Sequence, residues 1–378
     1  AYGYQLGRTS TYDALGIADT RKQRLILGIE KPEFSNKPNP DLSDRLTEKQ
    51  KKAIIEAVNA DDYYLIQGPP GTGKTTLLAH LIKSLIDNES EVLLVTAFTN
   101  RAVDEIINKY ISETGLTDSI LRLGNEYSTE YPEYSITNII KDIPDEDIMD
   151  FIKSKRVFFS TLATASYNEI FQSLDFTTAI IDESSQIIEP EALSVILKTK
   201  RFILIGDEKQ LPAVVSQMNG EGTVQQITTD IPELNNIGLT KLDNSLFERL
   251  VNTAKKNNWD TFTLLDTQFR MNSELLQFSN NNFYESRLFS GESNDNIKLD
   301  FGENEVTLND NPVEFFDIKG MGEKKKNKRE ADALIRLLEK YYEKNKSGNF
   351  GYSFGVIAPF RAQVSYIHQE LLSRGIDD

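Results

Sequence analysis

Cysteine is absent from this chain of 378 residues, and histidine occurs only at His80 and His368. Disulfides, iron–sulfur clusters and cysteine-ligated zinc are therefore excluded, and a metal site would need mainly oxygen ligands, which favours magnesium or calcium. There is no run of 18 apolar residues, and the first thirty residues contain no continuous apolar segment. The sequence thus predicts no membrane span and no signal peptide, and we expect a cytoplasmic protein, or a nuclear one in a eukaryote.

Basic residues are scarce relative to acidic ones. The 42 Lys and Arg residues stand against 58 Asp and Glu residues, which gives a net charge of −16. This balance by itself argues against nucleic-acid binding. However, half of the excess lies between Ser112 and Asp150, where ten acidic residues accompany only Arg122 and Lys141. The remaining surface is closer to neutral, so the composition allows a local basic groove.

The apolar fraction of 39% and the chain length predict a globular protein of two or three domains. Short apolar runs alternate with amphipathic segments, the pattern of parallel sheets covered by helices, so we predict an α/β fold. The predicted strands of a first lobe are Tyr63–Gln67, Val92–Phe98, Arg156–Leu162, Thr178–Asp182 and Arg201–Gly206. Those of a second lobe are Thr261–Leu265, Val313–Ile318 and Ser353–Pro359, with helices near Ser273–Tyr284, Glu330–Lys344 and Arg361–Arg374.

These segments predict three regions. Residues 1–45 form an N-terminal arm of mixed polar and turn-forming residues, residues 46–258 form the first lobe, and residues 259–378 form a second lobe that is incomplete. Polar stretches near 216–243 and 290–311 have the composition of surface loops. Because the chain begins with Ala1 and the second lobe is short of strands, we expect further domains of a longer polypeptide.

A glycine-rich segment lies between the first predicted strand and a helix rich in Leu and Ile. It reads Gly68-Pro69-Pro70-Gly71-Thr72-Gly73-Lys74-Thr75, and Thr76 continues the helix. Glycines let backbone N–H groups close around phosphates, and a helix N-terminus adds partial positive charge. Lys74 can reach the β- and γ-phosphates, and the Thr75 hydroxyl can ligate magnesium. These residues predict a nucleotide-binding loop rather than a glycine-rich turn without a ligand.

Nucleotide hydrolysis also needs a carboxylate linked to the metal ion at the end of a neighbouring strand. Asp182 and Glu183 follow the apolar segment Thr178–Ile181. We predict that Asp182 holds magnesium through water and that Glu183 is the base for the attacking water. An Asp-Glu pair in isolation is more often a solvated turn, so this prediction depends on the phosphate-binding loop upstream.

Seven further segments, in this order, resemble the motifs of superfamily 1 helicases of the 1B branch, which contains the nonsense-mediated-decay helicase and the Okazaki-fragment nuclease-helicase. The segments are Leu46-Thr47-Glu48-Lys49-Gln50, Thr96-Ala97-Phe98-Thr99-Asn100-Arg101-Ala102-Val103-Asp104, Asp182-Glu183-Ser184-Ser185-Gln186, Gly206-Asp207-Glu208-Lys209-Gln210-Leu211-Pro212, Ser245-Leu246-Phe247-Glu248-Arg249-Leu250, Gln268-Phe269-Arg270-Met271-Asn272 and Ala358-Pro359-Phe360-Arg361-Ala362-Gln363. The resemblance implies two RecA-like lobes that close on Mg-ATP and move 5′ to 3′ along single-stranded nucleic acid, with DNA favoured over RNA.

The resemblance also implies roles at the nucleotide. Gln50 would read the adenine, although Thr47-x-x-Gln50 equally fits a helix capping box. Gln210 and Arg270 would sense the γ-phosphate, one from each lobe. Phe269 stands where the family usually has a Tyr that stacks on the base, and it keeps the aromatic ring.

For the polynucleotide, the resemblance implies contacts from both lobes. The residues concerned are Thr99, Asn100, Ser160, Thr161, Phe360, Arg361 and Gln363. Hydroxyls and amides contact phosphates without reading sequence, but each of these residues could equally be a helix cap or turn former. The basic cluster Lys324–Arg329 could line the same path, or it could be a charged loop before a helix.

Two family motifs that should follow Gln363 are missing, including the one that carries the arginine finger. Because such a finger contributes on the order of 10³ to 10⁵ in rate, we expect this chain alone to hydrolyse ATP weakly. Two other functions remain open. One is an ATP-gated nucleic-acid clamp or remodelling module that does not unwind duplexes, and the other is a phosphate-loop ATPase with no nucleic-acid partner.

Overall fold

The computed structural model describes residues 16, 19–167, 170, 173–213, 215, 223, 232–241, 243–291, 313–320, 322 and 325–376. Contacts within the chain divide it into two compact units. Unit 1 comprises Ala1–Met271 and Ser279–Gly291, and unit 2 comprises Asn272–Phe278 and Glu292–Asp378. Residues 259–271 therefore belong to unit 1, whereas the predicted second lobe begins at residue 259. The division into two lobes as a whole stays a prediction.

Unit 1 is built on a seven-stranded parallel sheet. Its strands are β1 (Tyr63–Gln67), β2 (Leu93–Ala97), β3 (Ile120–Leu123), β4 (Val157–Thr161), β5 (Phe176–Ile181), β6 (Thr199–Gly206) and β7 (Phe262–Leu264). They lie in the order β3-β4-β2-β5-β6-β1-β7. Since all the paired strands are parallel, their carboxyl ends meet at one edge of the sheet. A separate pair consists of β8 (Thr267–Gln268) and β9 (Phe289–Ser290).

The helices cover both faces of this sheet or belong to unit 2. They are α1 (Thr20–Ile26), α2 (Glu48–Asn59), α3 (Lys74–Ile86), α4 (Asn100–Thr114), α5 (Ile136–Ile139), α6 (Ile148–Lys153), α7 (Leu162–Tyr167), α8 (Glu189–Ile196), α9 (Pro232–Asn236), α10 (Leu246–Asn257), α11 (Ser273–Phe283), α12 (Lys328–Gly348) and α13 (Arg361–Ser373). Short 3₁₀ turns occupy Glu126–Ser128, Pro132–Tyr134, Ile140–Asp142 and Ser184–Gln186.

The core of unit 1 lies in two apolar clusters, one on each face of the sheet. Neighbouring residues of β1 alternate between them, with Tyr64 and Ile66 in one cluster and Tyr63 and Leu65 in the other. All five residues of β1 are buried. A parallel sheet covered on both faces requires such continuous apolar strands, because no strand face meets water. The α/β architecture predicted for the first lobe is therefore confirmed.

The five strands predicted for the first lobe are confirmed to within two residues at either end. The strand β3 was not predicted, because its four residues contain Arg122 and lie within the acidic stretch. Arg122 is nevertheless buried, and its guanidinium donates to the Leu123 carbonyl and to the Asn100 side chain. The strand predicted at Thr261–Leu265 exists as β7, but it pairs with β1 in the main sheet of unit 1.

Unit 2 contains the predicted helices, here α12 and α13, which pack around Ala331, Ile335 and Ile367. Gly375 follows α13 in the left-handed conformation, with φ +70°, as expected for a residue that ends a helix. The strands predicted at Val313–Ile318 and Ser353–Pro359 are wrong, since the described residues there form no ladder. A strand needs a hydrogen-bonded neighbour, and the described part of unit 2 contains none.

The N-terminal arm is more ordered than its composition suggests. Although residues 1–15 lie outside the described part of the chain, α1 begins at Thr20 and buries Ile26 in the core of unit 1. The polar stretches 216–243 and 290–311 lie largely outside the described residues. Among the helices that the structure describes, none combines the length and the apolar character that crossing a bilayer requires.

A buried ion pair connects α10 to α8. The Arg249 guanidinium donates to both carboxylate oxygens of Glu189, at 2.9 and 2.6 Å, and to the Ile26 carbonyl at 2.8 Å. Only 1% of the Arg249 side chain is exposed. The pair therefore connects α1, α8 and α10 through a buried guanidinium.

We predict that Glu189→Ala lowers the free energy of unfolding by about 3 to 5 kcal/mol, because it leaves an uncompensated buried guanidinium. Urea unfolding followed by circular dichroism measures the change. The control is Glu105→Ala, which removes the exposed partner of Arg101 and should cost below about 1 kcal/mol. Equal losses in the two variants would contradict a structural role for the buried pair.

Candidate active site

The phosphate-binding loop connects β1 to α3 at the carboxyl edge of the sheet. Gly71 and Gly73 have φ +79° and +75°, a region that side chains rarely adopt. A Cβ at Gly71 would lie 2.6 Å from the Cβ of Arg270, and one at Gly73 would lie 2.7 Å from Nε2 of Gln50. The loop therefore requires glycine at Gly71 for conformation and for space, and at Gly73 for conformation, because the end of the Gln50 side chain can shift.

The first turn of α3 carries the residues predicted to hold phosphate and metal. Gly73 precedes the helix and no side chain caps it, so the N–H groups of the first turn are available to an anion. Thr72 is buried, and its hydroxyl donates to the Pro69 carbonyl at 2.7 Å, which closes the loop. Thr75 and Thr76 are partly exposed in the first turn.

Lys74 reaches from α3 to the end of β5. Its Nζ donates to the Gly68 carbonyl at 2.8 Å and lies 3.4 Å from a carboxylate oxygen of Glu183. The predicted phosphate-binding lysine and the predicted base are thus adjacent, although they are separated by more than a hundred residues in sequence.

Asp182 lies directly after β5, where its backbone N–H donates to the Thr96 carbonyl at 2.8 Å. Its side chain is buried, and Oδ1 has no hydrogen-bond partner. Burial, with a smaller effect of the neighbouring Glu183 charge, raises the pKa of Asp182 to about 6. A buried carboxylate oxygen without a partner fits a divalent cation, and Thr75 on the adjacent helix offers a second oxygen. Glu183 itself has φ +50°, a strained conformation for this residue.

Gln50 forms the capping box that its sequence allows. Its Oε1 accepts from the Thr47 N–H at 2.8 Å, and its own N–H donates to the Thr47 hydroxyl at 3.2 Å. In addition, Nε2 donates to the Thr72 carbonyl at 3.0 Å, so Gln50 contacts the phosphate-binding loop. The adenine-reading role stays a prediction, and the capping role is present.

Phe269 and Arg270 lie against the same loop within unit 1. The Phe269 N–H donates to the Gly71 carbonyl at 2.8 Å, and 49% of the side chain is exposed. The sequence did not single out Gln268, which is fully buried and accepts from the N–H groups of Arg270 and Met271 at 2.9 and 2.7 Å. Gln268 therefore fixes the turn that presents Arg270. This arrangement differs from the predicted one, in which Arg270 comes from the second lobe.

The side chain of Gln210 is hydrogen-bonded to a carboxylate for which the sequence predicted no role. Its Nε2 donates to Asp207 at 2.9 Å, and Asp207 follows β6 with no exposed surface. The only sequence signal for Asp207 is its place in the segment that also carries Gln210. Because β6 lies between β1 and β5, Asp207 stands between the phosphate-binding loop and Asp182.

The residues of unit 1 predicted to contact nucleic acid lie where β2 and β4 end, and these strands are paired at Ala97 and Thr161. Thr99 and Asn100 follow β2, and Ser160 and Thr161 are the last residues of β4. The Thr99 hydroxyl caps α4 by accepting from Ala102, and the Asn100 side chain accepts from Arg122 at 2.7 Å. The Thr161 hydroxyl accepts from Thr164, and Ser160 donates to the Thr161 carbonyl at 3.1 Å. The structure thus places these four residues at the carboxyl ends of two paired strands, with each side chain already in a local hydrogen bond.

In unit 2, the basic cluster lies against the start of α13. The Gln363 carboxamide accepts from the Asn327 N–H at 2.8 Å and donates to the Asn327 carbonyl at 3.0 Å. Nζ of Lys325 lies 5.5 Å from the centroid of the Phe360 ring, and Nζ of Lys326 lies 4.7 Å from that of Tyr366. Lys324 lies outside the described residues.

We call this group, Lys325–Lys328 with Phe360 and Arg361, the basic surface. Phe360 is 46% exposed, and Arg361 is exposed at the first position of α13. Within the described residues, the lysines at 325, 326 and 328 make no ion pair with a carboxylate. The surface therefore presents positive charge beside an aromatic ring.

Family models for an AAA domain match most of the chain, one at residues 45–147 and 134–218 and a second at residues 242–377. The uncharacterized ATP-dependent helicase MJ0104 of Methanocaldococcus jannaschii is 26% identical over 93% of this chain and 63% of that protein. DNA replication ATP-dependent helicase/nuclease DNA2 of Xenopus laevis is 28% identical over 96% of this chain and 36% of its own length.

DNA2 of Saccharomyces cerevisiae is 32% identical over 73% of this chain, which spans 16% of that protein. The chain thus spans less than two thirds of each of these three relatives. The matches run through both segments that carry the motifs, from the phosphate-binding loop to α13. The chain therefore belongs to the superfamily 1 helicases, in the branch that contains the DNA2 helicase/nucleases.

Proposed function

We propose that this chain is the ATP-hydrolysing motor of a helicase that uses Mg-ATP to move 5′ to 3′ along single-stranded nucleic acid. The observation that carries the proposal is the grouping of Lys74, Asp182 and Glu183 at one sheet edge, with a buried Asp182 oxygen that lacks a partner. A nucleotide phosphate and a divalent cation would supply the anion and the cation that these side chains lack.

The residues take distinct parts in hydrolysis. Lys74 exchanges its contacts with Gly68 and Glu183 for the β- and γ-phosphates, which frees the Glu183 carboxylate to accept a proton from the attacking water. Thr75 and Asp182 would hold a magnesium ion, which neutralises phosphate charge when bound. Arg270 stabilises charge on the γ-phosphate, and Phe269 stacks on the base.

The nucleic-acid partner follows from the relatives and the basic surface. The relatives named DNA2 are DNA replication enzymes, which favours DNA over RNA as the track. The hydroxyls and amides at the ends of β2 and β4 would contact phosphates rather than bases, as would the basic surface of unit 2. Such contacts suit a motor that moves over any sequence.

We predict that Glu183→Gln retains ATP binding and loses hydrolysis by on the order of 10²- to 10⁴-fold, because the carboxamide cannot take the proton. Lys74→Ala should lose tight binding of ATP. Phosphate release with and without single-stranded DNA or RNA, together with equilibrium binding of a fluorescent ATP analogue, measures both effects. Hydrolysis at the wild-type rate in Glu183→Gln would exclude this residue as the base.

A second prediction concerns the stability of the chain in the absence of metal and nucleotide. Asp182→Asn should raise the free energy of unfolding at pH 7 in the absence of metal by about 1 to 3 kcal/mol, because it removes a buried charge on a carboxylate whose Oδ1 has no hydrogen-bond partner. Mg-ATP should stabilise the wild-type chain and should not stabilise Asp182→Asn. Thermal unfolding with EDTA or with Mg-ATP measures both differences. A variant that is less stable than wild type in EDTA would indicate that the carboxylate supports the fold.

The basic surface leads to a prediction about how the binding of single-stranded DNA depends on salt concentration. Replacing Lys325, Lys326 and Lys328 together by Ala should weaken binding of single-stranded DNA and reduce the slope of log K against log salt by about 2, since each phosphate contact contributes about 0.7. The matched control replaces Lys340, Lys344 and Lys346 of α12 and removes the same charge. An equal change in both triple variants would show a general charge effect and would contradict a binding role for this surface.

A further inference from the structure

The carboxylate of Asp207 is buried among neutral donors at the end of β6. Its Oδ2 accepts from Nε2 of Gln210 at 2.9 Å and from the hydroxyl of Tyr284 at 2.7 Å. Its Oδ1 accepts from the Lys209 N–H at 3.2 Å, and Nε2 of Gln67 lies at 3.5 Å. Asp207 has no exposed surface and makes no ion pair with any described residue. These donors alone stabilise a charge that no solvent reaches.

Tyr284 brings a remote part of the chain to this carboxylate. It follows α11, the helix that begins shortly after Arg270, and it is 4% exposed. Burial raises the pKa of the Tyr284 hydroxyl, so the hydroxyl remains a donor at neutral pH. Tyr284 and Gln210 share one oxygen of Asp207, so the position of that oxygen determines where the Gln210 side chain is held.

The direction of the Gln210 amide matters for chemistry. With Nε2 donating to Asp207, Oε1 accepts no hydrogen bond from the described residues, and the side chain is partly exposed. The carboxamide therefore presents its oxygen as a hydrogen-bond acceptor, which can accept a hydrogen bond from an O–H of the attacking water. If the amide turned over, its oxygen would face the Asp207 carboxylate, and its N–H would donate to the water oxygen whose lone pair must attack phosphorus.

We propose that Tyr284 is a positioning residue for ATP hydrolysis: its hydroxyl holds Asp207 so that Gln210 presents its carbonyl oxygen to the attacking water. This inference rests on the proposed function, which assigns Gln210 to the γ-phosphate. Tyr284 touches no substrate and acts only through Asp207. No sequence pattern marks Tyr284, because an isolated Tyr after a helix is more often a core residue.

The first test compares Tyr284→Phe with a matched loss of a buried hydroxyl. In Tyr64→Phe the control loses the hydrogen bond between Tyr64 and Thr263, 2.7 Å long, in the core of the same unit. We expect kcat to fall roughly tenfold in Tyr284→Phe, with KM for ATP changed by less than about twofold, because orientation is lost and binding is not. The control should keep wild-type kcat. Wild-type kcat in Tyr284→Phe, or an equal fall in both variants, would overturn the proposal.

A double-mutant cycle tests whether Tyr284 acts through Gln210. Gln210→Ala combined with Tyr284→Phe should be no slower than Gln210→Ala alone, because the amide to be positioned is gone. Losses that multiply would mean that Tyr284 acts by another route and would overturn the proposal. Single-turnover hydrolysis with the enzyme in excess gives these rates even if turnover is slow.

A readout independent of activity separates this proposal from the proposed function. The side-chain amide signal of Gln210 in a nitrogen-15 spectrum is assigned by its loss in Gln210→Ala. It should broaden or shift to a solvent-exposed position in Tyr284→Phe and remain unchanged in Tyr64→Phe. An unchanged signal in Tyr284→Phe would overturn the positioning role. A wild-type chain that does not hydrolyse ATP would instead overturn the proposed function. The amide signal would still show whether Tyr284 positions Gln210.

Discussion

The parallel sheet of unit 1 is the constraint on which the candidate site depends. Its order puts β6 between β1 and β5, so the phosphate-binding loop and Asp182 start two strand spacings apart, about 10 Å. That separation leaves room for a chain of phosphates, and Lys74 crosses it to reach Glu183. The strand between them ends in Asp207 and Gln210. Segments far apart in sequence therefore meet because their strands run in the same direction.

The sequence predicted this sheet well where strands are apolar on both faces, since continuous apolar runs are the signature of a buried parallel strand. It failed for β3, whose Arg122 is buried only because Asp104 and the Asn100 side chain neutralise and bind it. It also failed for Val313–Ile318 and Ser353–Pro359, where short apolar runs are present but no neighbouring strand is described. Pairing is a property of the tertiary structure, and local pattern does not encode it.

Within the site, sequence identified the residues and could not assign their partners. Gln50 caps its helix and also contacts Thr72, and Gln363 holds Asn327 while lying beside the basic surface. These side chains hydrogen-bond to nearby backbone groups. A residue that belongs to a family motif can therefore also have a structural role. Gln268 and Tyr284 show the opposite case. They organise Arg270 and Asp207, and no local pattern marks them. Gln268 accepts from the backbone N–H of Arg270, a donor that nearly every residue offers, and the partner of Tyr284 lies 77 residues away in the chain.

Two buried carboxylates lie at the ends of adjacent strands, and they differ in their hydrogen-bond partners. Asp207 is surrounded by donors from Gln67, Lys209, Gln210 and Tyr284, so its charge is accommodated by the protein itself. Asp182 is equally enclosed, yet one of its oxygens has no partner and its pKa is raised. The first carboxylate is therefore suited to hold other side chains in place. Under the proposed function, the second lowers the stability of the free chain until a magnesium ion binds, which would couple the stability of unit 1 to the occupancy of its nucleotide site.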